Sequence, residues 1–154
     1  MDVKYSKLND HSIIQIMHMD CSPLPNERDS IYLSFYRFFR NTCWVAEKNN
    51  EVIGFALGFV DQSKETHGYL NYLFVKSEYR GLGIGAHLLI LFEEGLRNAG
   101  CNLASLLTGK QENIGYYGRH GYIVNHDIDG WTEKDKVYDY YYNTKKVSLL
   151  VKEL

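Results

Sequence analysis

Between Leu70 and Ala86 the chain places Arg80 ahead of three alternating glycines, Gly81, Gly83 and Gly85, and that combination suits the binding of a phosphate. The reason lies in where the glycines fall. Leu70, Leu73, Phe74 and Val75 form a short apolar run that reads as a buried strand. Ile84, Leu88, Phe92 and Leu96, with Leu89 beside them, mark one face of a helix that Gly100 ends. The glycines therefore open that helix, where the first backbone N–H groups lack intrahelical partners and the macrodipole is positive. With no Cβ atoms in the way, an anion approaches closely. Arg80 adds a permanent cation whose planar fork matches phosphate oxygens.

Three phosphate-binding designs use such a loop, and the residues separate them. A P-loop requires Lys-Ser or Lys-Thr after its last glycine, whereas Ala86 and His87 stand here. Gly81 to Ala86 satisfies the G-x-G-x-x-A pattern of a dinucleotide loop, but Lys76 to Arg80 separate it from its strand. That design also wants an acid about 20 residues on to hold a ribose, and Cys101 to Thr108 contains none. The third design sets Arg or Gln three residues before one glycine and five before a second, as Arg80, Gly83 and Gly85 are. It resembles the acetyl-CoA pyrophosphate loop of the GNAT superfamily of N-acyltransferases. A second signature of that superfamily, an Asn and a Tyr-Tyr pair followed by Gly-Tyr, is matched by Asn113-Ile114-Gly115-Tyr116-Tyr117-Gly118-Arg119-His120-Gly121-Tyr122. The match is strong over residues 67 to 125 and loose elsewhere.

The resemblance implies an α/β sandwich whose central mixed, mostly antiparallel sheet splays between its fourth and fifth strands. Acetyl-CoA would be the cosubstrate, its pantetheine arm in that gap. Leu73, Phe74 and Val75 would offer main-chain groups to the cofactor, with a backbone N–H near Phe74 polarising the thioester. Arg80, Gly81, Leu82, Gly83, Ile84, Gly85 and Ala86 would hold the pyrophosphate. Asn113 would bind the cofactor or cap its short helix, and Tyr116 would line the cofactor groove.

Acetyl transfer to an amine poses two proton problems. A lysine-like amine of pKa about 10.4 costs roughly 4 to 5 kcal/mol to deprotonate at neutral pH. The departing CoA thiolate resembles a cysteine thiolate of pKa about 8.5, so a nearby hydroxyl that donates a hydrogen bond or a proton would help it leave. Tyr117 occupies the family position for that acid, five residues before Tyr122. A helical step of one residue turns a side chain about 100°, so Tyr116 and Tyr117 cannot both face the same sulfur. Related enzymes often carry a carboxylate on the fourth strand; Tyr69, Leu70, Asn71 and Tyr72 offer none here. Asp61, Glu65, His67 and His120 are alternative bases, each expected on the solvated surface, and none is assigned.

The acceptor is expected to be a small amine, with a protein amine as the alternative, and a non-catalytic acyl-CoA-binding module as the competing class. The segment 127–142 carries five acidic residues against two lysines, with Trp131 and four tyrosines. It would attract a cationic acceptor, or else form an exposed hairpin or a homodimer contact.

The rest of the chain supplies the scaffold for these groups. Val3 to Leu8 is an opening strand, and Ser12 to Met19 and Arg28 to Arg40 are helices. The aromatic stripe Tyr32, Phe35, Tyr36, Phe38 and Phe39 is either core or a lid over the acceptor. Strands Cys43 to Lys48 and Glu51 to Asp61 flank Asn49-Asn50, a pair suited to a hairpin turn. Gly54 and Gly58 signal a bulge or a close backbone approach. Strands from His67, over Asn102 to Leu107 and over Lys146 to Lys152 complete a mixed sheet. At 154 residues, with two prolines and no low-complexity run, residues 1–154 read as one domain. Net charge −2 argues against a nucleic-acid surface. Three scattered cysteines argue against disulfides and zinc and for a reducing cytoplasm. The N-terminus lacks signal-peptide character, no run approaches a membrane span, and the six histidines imply no metal.

Overall fold

The computed structural model describes residues 2–24, 29–125, 127–128, 131–132 and 148–154. Strand β1 (Lys4–Lys7) leads into helices α1 (Asp10–His18) and α2 (Asp29–Phe38), and strands β2 (Cys43–Lys48), β3 (Glu51–Val60) and β4 (His67–Val75) come after them. Helix α3 (Ile84–Asn98), strand β5 (Leu103–Thr108) and helix α4 (Gln111–Gly118) come next. The short strands β6 (Ile123–Val124), β7 (Asp127–Ile128) and β8 (Trp131–Thr132) precede β9 (Ser148–Glu153). Seven strands make one sheet in the order β1-β2-β3-β4-β5-β9-β6, while β7 and β8 pair separately. Among the described residues every pairing in the larger sheet is antiparallel except β4 with β5.

Local chemistry sets the element ends. Asn49 and Asn50 turn the β2–β3 hairpin with φ of 51° and 63°, a conformation asparagine tolerates better than most residues. Helix α1 begins two residues earlier than its apolar spacing suggests, because Asn9 caps it by accepting the His11 and Ser12 N–H groups while Ser12 Oγ accepts from Asn9. The apolar face of α3 (Ile84, Leu88, Leu89, Phe92 and Leu96) packs on one side of the sheet against Ala46, Ala56, Leu70 and Ala104. The other side is closed by α1 and α2, through Ile13, Ile16, Tyr32 and Phe35 against Val45, Phe55, Leu57, Tyr72 and Phe74. Most of the segment 127–142 lies outside the described residues, as does the start expected for the last strand.

Strand β4 departs from regular pairing in two places. It pairs with β5 only from His67 to Tyr69, opposite Leu103 to Ser105, and the two strands then part. Ser105 Oγ fastens the last rungs by donating to Gly68 O at 2.8 Å. Strand β5 continues instead against β9 over its whole length. The second departure is a bulge: Tyr72 faces Leu57 but Leu70 faces Gly58, so Asn71 has no partner on β3. The bulge and the close approach expected of Gly58 coincide, since a Cβ there would sit 2.3 Å from Tyr69 O and 2.4 Å from Phe92 Cε2. Gly58→Ala is expected to destabilise the fold by about 1–3 kcal/mol through forced displacement of a carbonyl or a core ring. Urea unfolding checks this; a midpoint like that of the parent would contradict the contact.

Candidate functional site

A cleft of about 2120 Å³ runs along the divergence of β4 and β5. At one end lies the glycine loop. Gly81 and Gly83 have φ of 78° and 82°, and Gly83 caps α3 without any side-chain hydrogen bond. The first bond of the helical ladder is His87 N–H to Gly83 O, so the N–H groups of Ile84, Gly85 and Ala86 precede it. Of the loop residues expected at the pyrophosphate, Arg80, Gly81, Gly83, Ile84, Gly85 and Ala86 line the cleft. Leu82 does not, and is 57% exposed. Arg80 is held to the end of β4: Nε donates to Val75 O at 2.8 Å and Nη2 to Ser22 O at 3.3 Å.

Strand parity decides which main-chain groups face the gap. Lys76 N–H donates to Ile53 O, which makes that pair hydrogen-bonded, and alternation makes Phe55–Phe74 another. The main-chain groups of Leu73 and Val75 therefore turn away from β3 toward the gap. Those of Phe74 are spent on β3, so of the three residues expected to offer main-chain groups to the cofactor, Leu73 and Val75 are the two that face the gap. The Phe74 ring does border the cleft, and the Arg80 guanidinium lies 5.8 Å from its centroid.

Helix α4 supplies the other wall. Lys110, not Asn113, occupies its N-cap position, and Asn113 sits inside the first turn with Nδ2 donating to Thr108 Oγ1 at 3.2 Å. The capping role expected of Asn113 is thereby excluded, while its place on the cleft is kept. The Tyr116 hydroxyl lies 3.0 Å from where a Gly85 Cβ would be, over the phosphate loop. The neighbouring Tyr117 ring meets it edge-on at 5.2 Å and packs against Tyr122 at 5.7 Å. Burial raises the Tyr117 hydroxyl well above the ordinary phenol value, with smaller contributions from Tyr116 and Tyr69. It stays protonated at any physiological pH, ready to donate.

Among the candidate bases, His67 is buried rather than solvated, at 1% exposure, and Asp61 Oδ1 accepts the Ser63 and Lys64 N–H groups in the β3–β4 turn. Both border the cleft, as does Glu65, whereas His120 packs on Tyr116 at 4.8 Å. Cys21, Cys43 and Cys101 are free and buried; burial raises all three thiols, that of Cys43 to about 12, so none stands ready as a thiolate nucleophile. Sequence reasoning passes over Thr108, which fixes Asn113, and Tyr69, which borders the same cleft as Tyr117; neither stands in a motif. Asn71 registers in the sequence only as the lack of a carboxylate, though Gly58, opposite the preceding Leu70, announces the bulge that leaves Asn71 unpaired on the cleft.

The model of the acetyltransferase (GNAT) family matches residues 12–122. An uncharacterized N-acetyltransferase, MJ1530 of Methanocaldococcus jannaschii, is 37% identical over 97 residues, 60% of either chain. L-2,4-diaminobutyric acid acetyltransferase of Marinococcus halophilus is 33% identical over 58 residues, 38% of this chain and 34% of that one. The chain thus spans between a third and three fifths of the length of these relatives. In fold it is similar to a chain of the NatC complex bound to Gag peptide and CoA, with TM-score 0.81 and 22% identity over 100% of this chain and 99% of that one.

Proposed function

The chain belongs to the GNAT acetyltransferase family, and we propose that it moves an acetyl group from acetyl-CoA directly to a primary amine, a small amine being the acceptor. The observation that carries this is the placement of a phosphate-suited helix start and a protonated Tyr117 on one cleft, joined by the edge of β4, where the main-chain groups of Leu73 and the Val75 N–H turn away from β3 while Val75 O holds Arg80. The N–H groups of Ile84, Gly85 and Ala86, with Arg80 and the Tyr116 hydroxyl, take the pyrophosphate. The edge of β4 bonds the amides of the pantetheine arm as a further strand would. At about 3.3 Å per residue the stretch from Val75 to Asn71 spans ~13 Å, which brings the arm's end toward Asn71 and Tyr69.

There the unprotonated amine attacks the thioester carbonyl, the tetrahedral adduct collapses, and the C–S bond breaks. Tyr117 donates a hydrogen bond to the sulfur as charge develops on it. The amine's surplus proton passes to solvent. The diaminobutyrate enzyme of M. halophilus, by its name an acetyltransferase of a small amine, supports that acceptor class. Residues 1–154 act as one domain in this reading, in the reducing cytoplasm; no helix among the described residues is long and apolar enough to cross a membrane.

The test is release of CoA thiol by purified protein supplied with acetyl-CoA and a panel of amines. Release that requires an acceptor, with acetylated amine recovered in equal amount, is the expected result. Tight CoA binding with no release across the panel would instead mark a binding module.

A further inference from the structure

The half of the cleft away from the phosphate loop is walled by aromatic rings in mutual contact. Phe39, Phe59 and Tyr69 form a row, with centroids 5.5 Å apart for the first pair and 5.4 Å for the second. All three border the cleft. Phe35 backs the row from the core, 5.7 Å from Phe39 and 6.3 Å from Phe59. Rings needed only by the core would be turned into it, as Tyr32 and Phe35 are. Phe38 is instead 74% exposed and Phe39 36%, both on the cleft. The row ends at Tyr69, on the stretch of β4 beside Asn71 toward which the pantetheine arm would run, and Tyr117 lines the same cleft. An apolar wall therefore runs from the rim to the point where the acetyl group is handed over.

Resting on the transferase reading, we propose that the acceptor is an α-amine whose carbon bears a large apolar side chain, in a free amino-acid derivative or at a peptide N-terminus, and that Phe39 and Phe59 receive that side chain. The wall adjoins the reacting atoms, so the side chain that covers it must branch within a bond or two of the nitrogen. A polyamine or a lysine side chain carries no such branch. Proton chemistry points the same way: an α-amine has a pKa of about 7.7–8.0 against about 10.4 for a lysine-type amine, so far more of it is neutral at pH 7. β4 itself carries no carboxylate, and the carboxylates that border the cleft, Asp61 and Glu65, sit in the β3–β4 turn, where Asp61 Oδ1 already accepts two N–H groups.

The test measures acetyl transfer by the full chain to leucinamide, phenylalaninamide, alaninamide and spermidine, and to pentapeptides that differ only in a first residue of Leu or Ala. Leu and Phe acceptors are expected to exceed their Ala counterparts by about tenfold or more in kcat/KM. Phe39→Ala should bring that ratio toward one while leaving the KM for acetyl-CoA unchanged. Preference for the Leu peptide over leucinamide makes the source a chain N-terminus, and the reverse makes it a free derivative; both support the wall's role. Equal rates for Leu and Ala acceptors, or a preference for spermidine, would overturn it. Calorimetry of leucinamide and alaninamide binding to the CoA complex reads the wall without chemistry. Tighter leucinamide binding without any transfer would uphold the wall and sink the transferase reading, whereas equal binding would sink the wall alone.

Discussion

Tyr117→Phe is expected to lower kcat by about 100-fold or more while the KM for acetyl-CoA stays within about twofold. The phenyl ring that remains keeps the contacts with Tyr116 and Tyr122, so the fold and the cofactor groove survive and only the hydroxyl is lost. The direction of the Tyr117 shift bears on how that hydroxyl would act in the proposed reaction. Its pKa lies above the ordinary phenol value of about 10, whereas a CoA-like thiol sits near 8.5. At about 1.4 kcal/mol per unit, full proton transfer to the departing thiolate runs uphill by at least ~2 kcal/mol. In the proposed reaction Tyr117 therefore stabilises the thiolate through a hydrogen bond, and solvent supplies the proton at the end.

The pH dependence has a definite sign. The folded-state pKa is raised, so Tyr117 holds its proton below pH 10 and loses it only above. The rate for a given amine should climb toward that amine's pKa and show no falling limb below about pH 10; a falling limb near pH 8 would show that another group is the donor. Tyr116→Phe is the control. Its hydroxyl lies over Gly85 rather than beside Tyr69, so it should raise the KM for acetyl-CoA with kcat little changed.

The residues legible in sequence are those whose local chemistry leaves one option. Three glycines before an amphipathic run admit only a helix start, and Asn49-Asn50 between two apolar runs admits a tight turn with positive φ. Asn113 resists such a reading because its role depends on where the chain leaves β5. The helix starts at Gln111, and Thr108 then stands within reach of the Asn113 amide. Phe74 misleads for a related reason. An apolar run buried on both faces carries no alternation, so only the pairing offset with β3 tells which main-chain groups face the gap. His67 looks like a surface base because sequence does not show that it starts the parallel pairing of β4 with β5, where both its flanks are covered.

Gly83→Val should weaken acetyl-CoA binding by about 10- to 100-fold and leave most of the stability in place. A Cβ at Gly83 meets nothing within 4 Å, so the substitution causes no clash. What it cannot do is hold φ at 82°, which costs a β-branched residue about 1–3 kcal/mol. The strain is relieved by turning the peptide or fraying the first turn of α3, and either movement re-aims the N–H groups of Ile84, Gly85 and Ala86. Each hydrogen bond to a charged group contributes about 1.5–3 kcal/mol, so losing the aim of one or two accounts for the expected change. Arg80 softens the loss, because its anchorage to Val75 O belongs to β4 and does not pass through Gly83. Gly118→Ala, where a Cβ likewise meets nothing but no positive φ is required, should leave the affinity as it was. Calorimetric titration of both variants with acetyl-CoA separates the two cases, and an unchanged affinity in Gly83→Val would remove the pyrophosphate from this loop.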